Sequence, residues 1–291
     1  MRRAGWASFH GGHSQFVDGT GTIAEIAQAA ADREFVAFGF TEHFTMPPHH
    51  TFNPDGLMDD KFDRESWLSQ YVAEVQAART RLDGQVEIVL GTELDFVRGS
   101  EAWTRERVAR WPFQFFVGSV HHVCYDGVDY CIDWDRPRAA EALRIAGSPQ
   151  QLYLDYYEHL LELLSWRLAQ VIGHLDLIKI FLEPADQVDT PAIRAKVRGV
   201  LETMRDQHVA LDVNCRGLIK PCRAIYPADW ILTEAKRLGV AVTLGDDSHG
   251  PDQVGARLDQ GVAALRRANY SEMSLVRPGG ALEMVPLPAA E

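Results

Sequence analysis

The segment FQFFVGSVHH, residues 113–122, is an apolar stretch that is followed at once by two histidines. Aromatic and β-branched residues favour a β-strand, so the segment predicts a strand over Phe113–Val120 that ends just before His121. In barrels built from parallel strands and helical crossovers, functional side chains collect at the carboxyl ends of the strands. The position of His121 therefore indicates a fold whose strand ends carry the chemistry.

The same pattern recurs in both directions from this segment. Short apolar or β-branched runs alternate with longer segments of helical period, which is typical of a parallel sheet with helical crossovers. The pattern predicts strands at Trp6–His10, Phe35–Thr41, Val86–Leu90, Phe113–Val120, Gln170–Gly173, Val209–Val213 and Val240–Leu244. It predicts helices at Ile23–Asp32, about Glu65–Leu82, Trp103–Arg110, Gln151–Leu168, about Pro191–His208, Trp230–Leu238 and Val254–Ala268.

Seven β/α units in 291 residues indicate an α/β fold of one domain, spanning residues 1–291, whose strands form a closed or nearly closed (β/α)7 barrel. An open doubly wound sheet is the alternative, and it would carry a glycine-rich phosphate loop after its first strand. The sequence His-Gly-Gly-His at residues 10–13 occupies that place and matches no such loop. The barrel is therefore favoured.

The charge balance restricts the class of partner. The chain has 29 basic and 41 acidic residues and a net charge of -12, which argues against a nucleic-acid partner because nucleic-acid binders carry a basic surface. A small phosphorylated substrate is compatible with this charge, since bound cations reverse the local field in a pocket. The sequence has no apolar run of membrane-spanning length and no apolar signal segment, so a cytoplasmic protein without a membrane partner is expected. The cysteines have no CxxC spacing and are expected to be free thiols: Cys124, Cys131, Cys215 and Cys222.

Every predicted strand end carries a potential metal ligand or phosphate-binding group. In chain order these groups are His10, His13, Asp18, His43, Glu93, His121, His174, Asp176, Asn214, Arg216, Asp247 and His249. Imidazoles and carboxylates that converge on one rim suit Zn, Mn or Fe, and roughly nine such ligands would serve two or three ions. His122 is expected to point away from His121, and Asp246 is expected to support the ligands rather than to bind a metal.

Six segments at these positions resemble the polymerase-and-histidinol-phosphatase (PHP) superfamily, and in particular its histidinol phosphatase branch. They are TEHF (41–44), GTELDF (91–96), VGSVHHV (117–123), GHLDLIK (173–179), LDVNCRGLIKP (211–221) and TLGDDSH (243–249). Their content and their order both match, over nearly the whole chain. The resemblance implies a distorted (β/α)7 barrel with a trinuclear metal centre that hydrolyses a phosphate monoester, here L-histidinol phosphate in histidine biosynthesis.

The resemblance also implies roles for individual residues. Glu93 would bridge two ions and Arg216 would hold the substrate phosphate, so that Arg216, Glu93 and His249 are the expected catalytic residues. The ligands implied by position are His43, Glu93, His121, His174, Asp247 and His249.

The first motif departs from the family pattern. The family usually opens with H-x-H, whereas this chain has two glycines between His10 and His13. A bulge at these glycines would keep both imidazoles on the metals, so both are expected as ligands. The family also places a further histidine six residues after the second one. Gly19 occupies that position here, and the adjacent Asp18 is expected to supply an oxygen ligand instead.

The expected reaction is metal-assisted hydrolysis, in which ions lower the pKa of the water that attacks phosphorus. A nuclease or nucleotide phosphoesterase on the same scaffold stays open, as does a non-catalytic metal-binding module. A urease-like amidohydrolase is disfavoured, because the lysine of its fourth strand has no counterpart in FVGSVHH. The long polar connections Phe44–Asp63 and Tyr125–Ser148 are expected to act as lids at the functional rim. The sequence leaves a homo-oligomer open.

Overall fold

Seven parallel strands form the centre of the computed structural model, which describes residues 5–44, 46–47, 65–182 and 188–289. The central sheet has the order β1-β2-β3-β4-β7-β8-β9, and each neighbouring pair of strands in it is parallel. Within the described ranges the strands are β1 Ala7–Ser8, β2 Ala37–Phe40, β3 Glu87–Asp95, β4 Phe115–Ser119, β5 His122–Tyr125, β6 Val128–Cys131, β7 Val171–Ile172, β8 Ala210–Asn214, β9 Val242–Gly245, β10 Glu272–Val276 and β11 Leu282–Pro286.

The two edges of the central sheet approach each other. The backbone N–H of Phe9 donates a hydrogen bond to the carbonyl of Leu244 (2.9 Å), and the N–H of Asp247 donates to the carbonyl of His10 (2.8 Å). These bonds join the chain that leaves β1 to the chain in and after β9. The sheet is therefore a nearly closed barrel, and the prediction of a seven-stranded α/β barrel is confirmed.

The helices lie between the strands, as a right-handed β/α succession requires. A single 3-10 turn at Glu65–Trp67 leads into the second helix, where the sequence predicted one continuous helix. Each predicted helix is present, with ends that differ by a few residues. In the described part of the chain the helices are α1 Ile23–Asp32, α2 Leu68–Arg81, α3 Glu101–Val108, α4 Arg136–Ala146, α5 Pro149–Ser165, α6 Pro191–Gln207, α7 Asp229–Leu238 and α8 Leu258–Arg267.

Side-chain caps decide where two of these helices begin. The hydroxyl oxygen of Thr22 accepts a hydrogen bond from the backbone N–H of Glu25, and the Glu25 carboxylate accepts one from the N–H of Thr22. This reciprocal pair satisfies two N–H groups that the first turn of α1 leaves without helical partners. Thr190 caps α6 in the same position, ahead of a proline whose fixed φ suits the first turn.

The barrel interior below the rim is filled by aromatic rings. The ring of Phe115 meets that of Phe9 edge to face, with centroids 5.9 Å apart. There is room for it because the neighbouring strands carry Gly39 and Gly91 here, and a Cβ on either would lie 2.6 or 2.4 Å from the Phe115 ring. This apolar layer closes the barrel from below, so that the polar side chains at the carboxyl ends have a water-poor floor.

The third strand is longer than predicted. The sequence predicted a strand over Val86–Leu90, whereas β3 continues to Asp95. The extension pairs with β4 in parallel register, with Glu93 opposite Val117 and Asp95 opposite Ser119. The polar residues suggested a loop, but the backbone hydrogen bonds to β4 continue the strand. Glu93 therefore lies within the barrel wall rather than after it.

The long polar connection predicted over Tyr125–Ser148 contains secondary structure that the sequence did not reveal. Its first part forms an antiparallel hairpin of β5 and β6, joined by Asp126 and Gly127, which both have positive φ (51° and 78°). Asp-Gly favours this tight turn because both residues tolerate the left-handed region. Its second part is helix α4. The other predicted lid, Phe44–Asp63, lies mostly outside the described residues, which there comprise only 44 and 46–47.

The chain after α8 forms a second antiparallel hairpin, in which β10 and β11 pair from Glu272↔Pro286 to Val276↔Leu282. This hairpin is absent from the strands predicted from the sequence. Among the described helices, none is both long enough and apolar enough to cross a membrane.

Candidate metal centre

The carboxylate of Glu93 lies at the centre of a buried group of imidazoles at the carboxyl rim of the barrel. Its side chain is only 1% exposed. One carboxylate oxygen, Oε1, faces three histidines, with distances to their Nε2 atoms of 3.1 Å for His10, 3.3 Å for His174 and 3.6 Å for His121. The other oxygen, Oε2, lies 3.1 Å from Nδ1 of His43 and 3.8 Å from Nε2 of His13. Glu93 thus separates two sets of imidazoles and faces both.

Four overlapping groups of donor atoms around Glu93 have the spacing that a metal ion needs. Within each group all donor atoms lie within 4.8 Å of one another. All nine ligands predicted from the sequence fall in at least one group, so the structure brings the predicted set together. The groups are His13, Asp18, His43 and His249; His10, Glu93 and His174; His10, His13 and Asp247; and His43, Asp95 and His121.

Sequence reasoning missed two carboxylates of this site. Asp95 Oδ1 contacts Nδ1 of His121, and Asp212 Oδ2 lies 2.7 Å from Nδ1 of His10. A signal for Asp95 was present, because side chains two apart on a strand share a face and Asp95 follows Glu93 by two. Asp212 stands inside a predicted strand, and nothing in the sequence distinguishes it from a core position.

The lengthened first motif keeps both of its imidazoles in the site. His10 belongs to the groups around Glu93 and Asp247, and His13 lies with its ring 4.3 Å from that of His249. The turn between them requires glycine, because Gly12 has a φ of +76° and a Cβ there would lie 2.7 Å from the ring of Phe40. The expected role of the two glycines, to carry both histidines into one site, agrees with this geometry.

We expect Gly12→Ala to lower the free energy of unfolding by roughly 2 kcal/mol and to reduce metal binding, since a left-handed φ strains alanine and the new Cβ meets Phe40. Gly84→Ala is the matched control, because Gly84 has the same φ of +76° but no atom within 4 Å of the added Cβ. Urea unfolding and metal analysis of both variants measure the difference. Equal losses in the two variants would show that the fit against Phe40 is unimportant.

Asp18 occupies the outer edge of the site. Its Oδ2 lies 3.1 Å from Nε2 of His249 and 3.9 Å from Nε2 of His43. The neighbouring histidines hold the pKa of Asp18 well below its usual value, although burial acts in the opposite direction. An ionised oxygen donor therefore stands where the family pattern has a histidine.

Arg216 lies beside Asp247 at the border of the site. Its Nη1 donates hydrogen bonds to the backbone carbonyl of Asp247 (2.8 Å) and to Oε1 of Gln253 (2.9 Å). The side chain is 17% exposed, so the guanidinium is held in place yet reachable from the rim. The role of Arg216 in binding a phosphate stays a prediction.

The two residues predicted not to bind the metals, Asp246 and His122, lie outside the described donor groups. Asp246 accepts hydrogen bonds from the hydroxyl of Ser8 (3.0 Å) and from the backbone N–H of Gly255 (2.6 Å), and it belongs to none of the described donor groups. Burial raises its pKa to about 6. His122 is the first residue of β5 and also lies outside these groups, among the residues that the structure describes.

Several buried donor atoms of the site have no hydrogen-bond partner within the described residues. They include Nε2 of His10, both ring nitrogens of His13, Oε1 of Glu93 and Oδ2 of Asp95. Nε2 of His121 and Nε2 of His174 face each other at 3.2 Å. Buried polar atoms without partners are costly, and bare imidazole and carboxylate donors aimed at shared points are what a metal ion satisfies.

Burial and the neighbouring charges together set the pKa values of the ionisable groups in the site. Burial disfavours the charged form of Glu93, but the surrounding histidines, His10 foremost, hold its pKa well below the usual value. Burial and the neighbouring His249 and His43 hold the pKa of His13 well below its usual value, which leaves that imidazole neutral. The carboxylate of Glu42 accepts a hydrogen bond from the hydroxyl of Ser14, and burial raises the pKa of Glu42 to about 8. Ionised carboxylates beside a neutral imidazole form a donor set suited to a cation.

A family model for the PHP domain matches residues 10–216, which include most of these side chains. The chain belongs to the PHP domain family. This PHP protein is 31% identical over 250 residues to a "Probable histidinol-phosphatase" of Deinococcus radiodurans, and the match covers 85% of this chain and 87% of the relative.

Two solved structures share the fold of this PHP protein. A candidate histidinol phosphatase from Listeria monocytogenes has a TM-score of 0.81 at 23% identity, over 88% of this chain and 99% of that one. A histidinol phosphate phosphatase from Lactococcus lactis has a TM-score of 0.73 at 18% identity, over 95% of this chain and 98% of that one. The Lactococcus structure is a complex with zinc, L-histidinol and phosphate.

Proposed function

We propose that this chain is a metal-dependent phosphomonoesterase that hydrolyses L-histidinol phosphate to L-histidinol and phosphate, a reaction of histidine biosynthesis. One observation carries the proposal: a buried set of imidazoles and carboxylates surrounds Glu93 at the carboxyl rim of a PHP-family barrel. The name of the Deinococcus relative supports the substrate, as does the complex of the Lactococcus neighbour with L-histidinol and phosphate.

The donor groups fit divalent metal ions, and we propose two to three of them, chosen from Zn, Mn and Fe. The proposed ligands are His10, His13, Asp18, His43, Glu93, His121, His174, Asp247 and His249, with Asp95 as an additional candidate. Glu93 would serve ions on both of its sides, because each of its oxygens faces a different set of imidazoles. When bound, such ions withdraw charge from phosphoryl oxygens and lower the pKa of coordinated water.

Arg216 is proposed to bind the phosphoryl oxygens of the substrate. A planar guanidinium can donate to two oxygens of one phosphate, and here its position is set by the Asp247 carbonyl and by Gln253. His249 is proposed to take part in catalysis. Its Nδ1–H donates to the carbonyl of Asp247 (3.0 Å), and its Nε2 is directed towards Asp18.

A carboxylate near the centre can bind the ammonium group of L-histidinol phosphate. The strand that ends at Cys131 pairs with His122, and the N–H of Ile132 donates to the carbonyl of His121 (3.0 Å), so that Asp133 follows directly beside the site. Burial lowers the His121 pKa, but Asp95 and then Asp133 raise it to well above its usual value. We propose that Asp133 recognises the ammonium of the substrate, and the next residue, Trp134, is an exposed aromatic.

Asp133→Asn should raise KM for L-histidinol phosphate roughly tenfold, since a hydrogen bond to a charged group contributes about 1.5–3 kcal/mol. The KM for an aryl phosphate, which has no ammonium group, should stay unchanged. Asp126→Asn, in the turn of the same hairpin, is the control and should leave both KM values as they are. An equal rise in KM for both substrates would contradict the assignment of Asp133 to the ammonium.

The experiment that tests the proposed function is phosphate release from L-histidinol phosphate, compared with nucleotides, sugar phosphates and an aryl phosphate. The protein is assayed as purified, after chelation, and after reloading with Mn or Zn. A strong preference for L-histidinol phosphate that is lost on chelation and restored by metal supports the proposal. Activity on nucleotides alone would show that the metal site hydrolyses a different phosphate ester. Bound metal without turnover of any substrate would favour a non-catalytic metal-binding module.

Other expectations from the sequence stay predictions. They are that residues 1–291 form one domain and that the protein acts in the cytoplasm without nucleic-acid partners, and the sequence also leaves a homo-oligomer open. Light scattering coupled to size-exclusion chromatography tests the last of these directly.

A further inference from the structure

The carboxylate of Asp212 holds one imidazole of the site. Asp212 is fully buried in β8, and its Oδ2 lies 2.7 Å from Nδ1 of His10. We propose that Asp212 is a positioning residue of the metal centre, which fixes both the tautomer and the orientation of His10. This inference rests on the metal centre proposed above.

The hydrogen bonds of Asp212 determine where the proton of His10 resides. An ionised carboxylate only accepts hydrogen bonds, so the proton shared with a neutral His10 ring belongs to Nδ1. The same oxygen also accepts from Nδ2 of Asn214 (3.0 Å) and from the backbone N–H of His174 (3.2 Å), which holds it in place. In that neutral form Nε2 of His10 carries no proton, and it points at Oε1 of Glu93 from 3.1 Å. A bare Nε2 is the form of imidazole that binds a metal.

The backbone around Asp212 and His10 leaves little space beyond these two side chains. A Cβ at Gly245 would lie 2.2 Å from Oδ1 of Asp212 and 2.9 Å from Cβ of His10. A Cβ at Gly173 would lie 2.8 Å from Cε1 of His10. Glycines at the ends of β7 and β9, the strands on either side of β8, thus form the slot in which ring and carboxylate meet. The slot and the hydrogen bond to Asp212 together restrict the position of the His10 ring.

A second pair shows how Asp212 differs from a ligand. Asp95 contacts Nδ1 of His121 in the same manner, but its other oxygen lies 3.8 Å from Nδ1 of His43 and so faces the donor groups. The other oxygen of Asp212 faces Gly245 instead. Asp212 belongs to none of the described metal groups, which makes its role one of orientation through His10. Carboxylates that orient metal-bound histidines typically change metal affinity about 10–100-fold when they are replaced.

The test compares Asp212→Asn with Asp129→Asn. Both residues are buried carboxylates on strands, but Asp129 lies on β6 and belongs to none of the described donor groups. Metal titration, followed by calorimetry and by the absorption of bound Co²⁺, should show one class of ion weakened about 10–100-fold in Asp212→Asn. The affinity and stoichiometry of Asp129→Asn should equal those of the wild type.

A measurement on the zinc-loaded wild type keeps the inference testable if Asp212→Asn does not fold. The ¹⁵N shifts of labelled His10, assigned by their loss in His10→Gln, should show a proton on Nδ1 and zinc rather than a proton on Nε2. An Nδ1 without a proton overturns the inference, and so does unchanged ion affinity in Asp212→Asn. Equal weakening in both variants also overturns it, because that would report general destabilisation. Failure of the proposed function gives a different result: the wild type would bind ions, with Nδ1 of His10 protonated, but would release no phosphate from L-histidinol phosphate.

Discussion

Replacing Glu93 with glutamine should lower kcat for L-histidinol phosphate about 10³-fold, since the charge stabilisation that bound ions supply in a transition state is worth several kcal/mol. Glu93 faces the imidazoles on both of its sides, so one substitution weakens every ion that it contacts. Glutamine has nearly the same shape but offers one neutral oxygen and an N–H₂ group that cannot bind a metal. Steady-state kinetics and metal analysis of the purified variant measure both effects together.

The control for this variant lies on the same strand. Glu87 begins β3 at the opposite end of the barrel, where its carboxylate pairs with Arg277. Glu87→Gln should retain its metal and its kcat, although it removes one charged partner of a partly exposed pair. If Glu93→Gln kept both its ions and its kcat, Glu93 would not be the central ligand. A normal metal content with low kcat would place the role of Glu93 in the reaction itself.

The sequence was sufficient for the architecture and for most of the site because both depend on local patterns. Alternating apolar runs and helical segments predicted the barrel, and the position of polar groups at strand ends predicted which side chains would meet. The same rule failed where polar residues continue a strand. Glu93 and Asp95 were assigned to a region after the third strand, since hydropathy does not reveal the hydrogen bonds between β3 and β4 that extend it.

Long-range contacts explain what could not be predicted. His10 and Asp212 are 202 positions apart, and their pairing depends on the closure of the barrel between its first and last strands. No local pattern distinguishes Asp212, because a buried carboxylate within a strand looks like an interruption of the core. The hairpin of β5 and β6 is a different case. Its Asp126-Gly127 turn is a local signal, and the polar composition around it concealed two short strands.

The altered first motif shows a limit of reasoning from a family pattern. The extra glycine after His10 and the glycine at position 19 are both departures from the family pattern. In the structure the turn at Gly12 brings both imidazoles to the rim, and Asp18 lies 3.1 Å from His249. Which side chains converge is decided by backbone geometry, and that geometry follows from φ at a single glycine rather than from motif spacing.

Chelation should reduce the stability of the protein as well as its activity. The proposed centre places ionised carboxylates and imidazoles together with few internal hydrogen bonds, so bound cations offset a repulsion and a desolvation that remain when they are removed. A ligand present at about a thousand times its Kd stabilises the folded state by about 4 kcal/mol. For a chain of this size, that corresponds to a decrease in Tm of roughly 10 °C on chelation.

Differential scanning calorimetry of the purified, the chelated and the reloaded protein measures this change. The control is the same chelator already saturated with metal, which should leave Tm unchanged and thereby exclude an effect of the chelator on the protein surface. Glu93→Gln provides a second control, because a variant that has lost its ions should no longer respond to chelation. A wild-type Tm that is unaffected by chelation, in protein shown to have lost its metal, would mean that the cluster is held together by its own side chains. In that case the imidazoles around Glu93 would be protonated and paired with the carboxylates, rather than unprotonated and able to bind a cation.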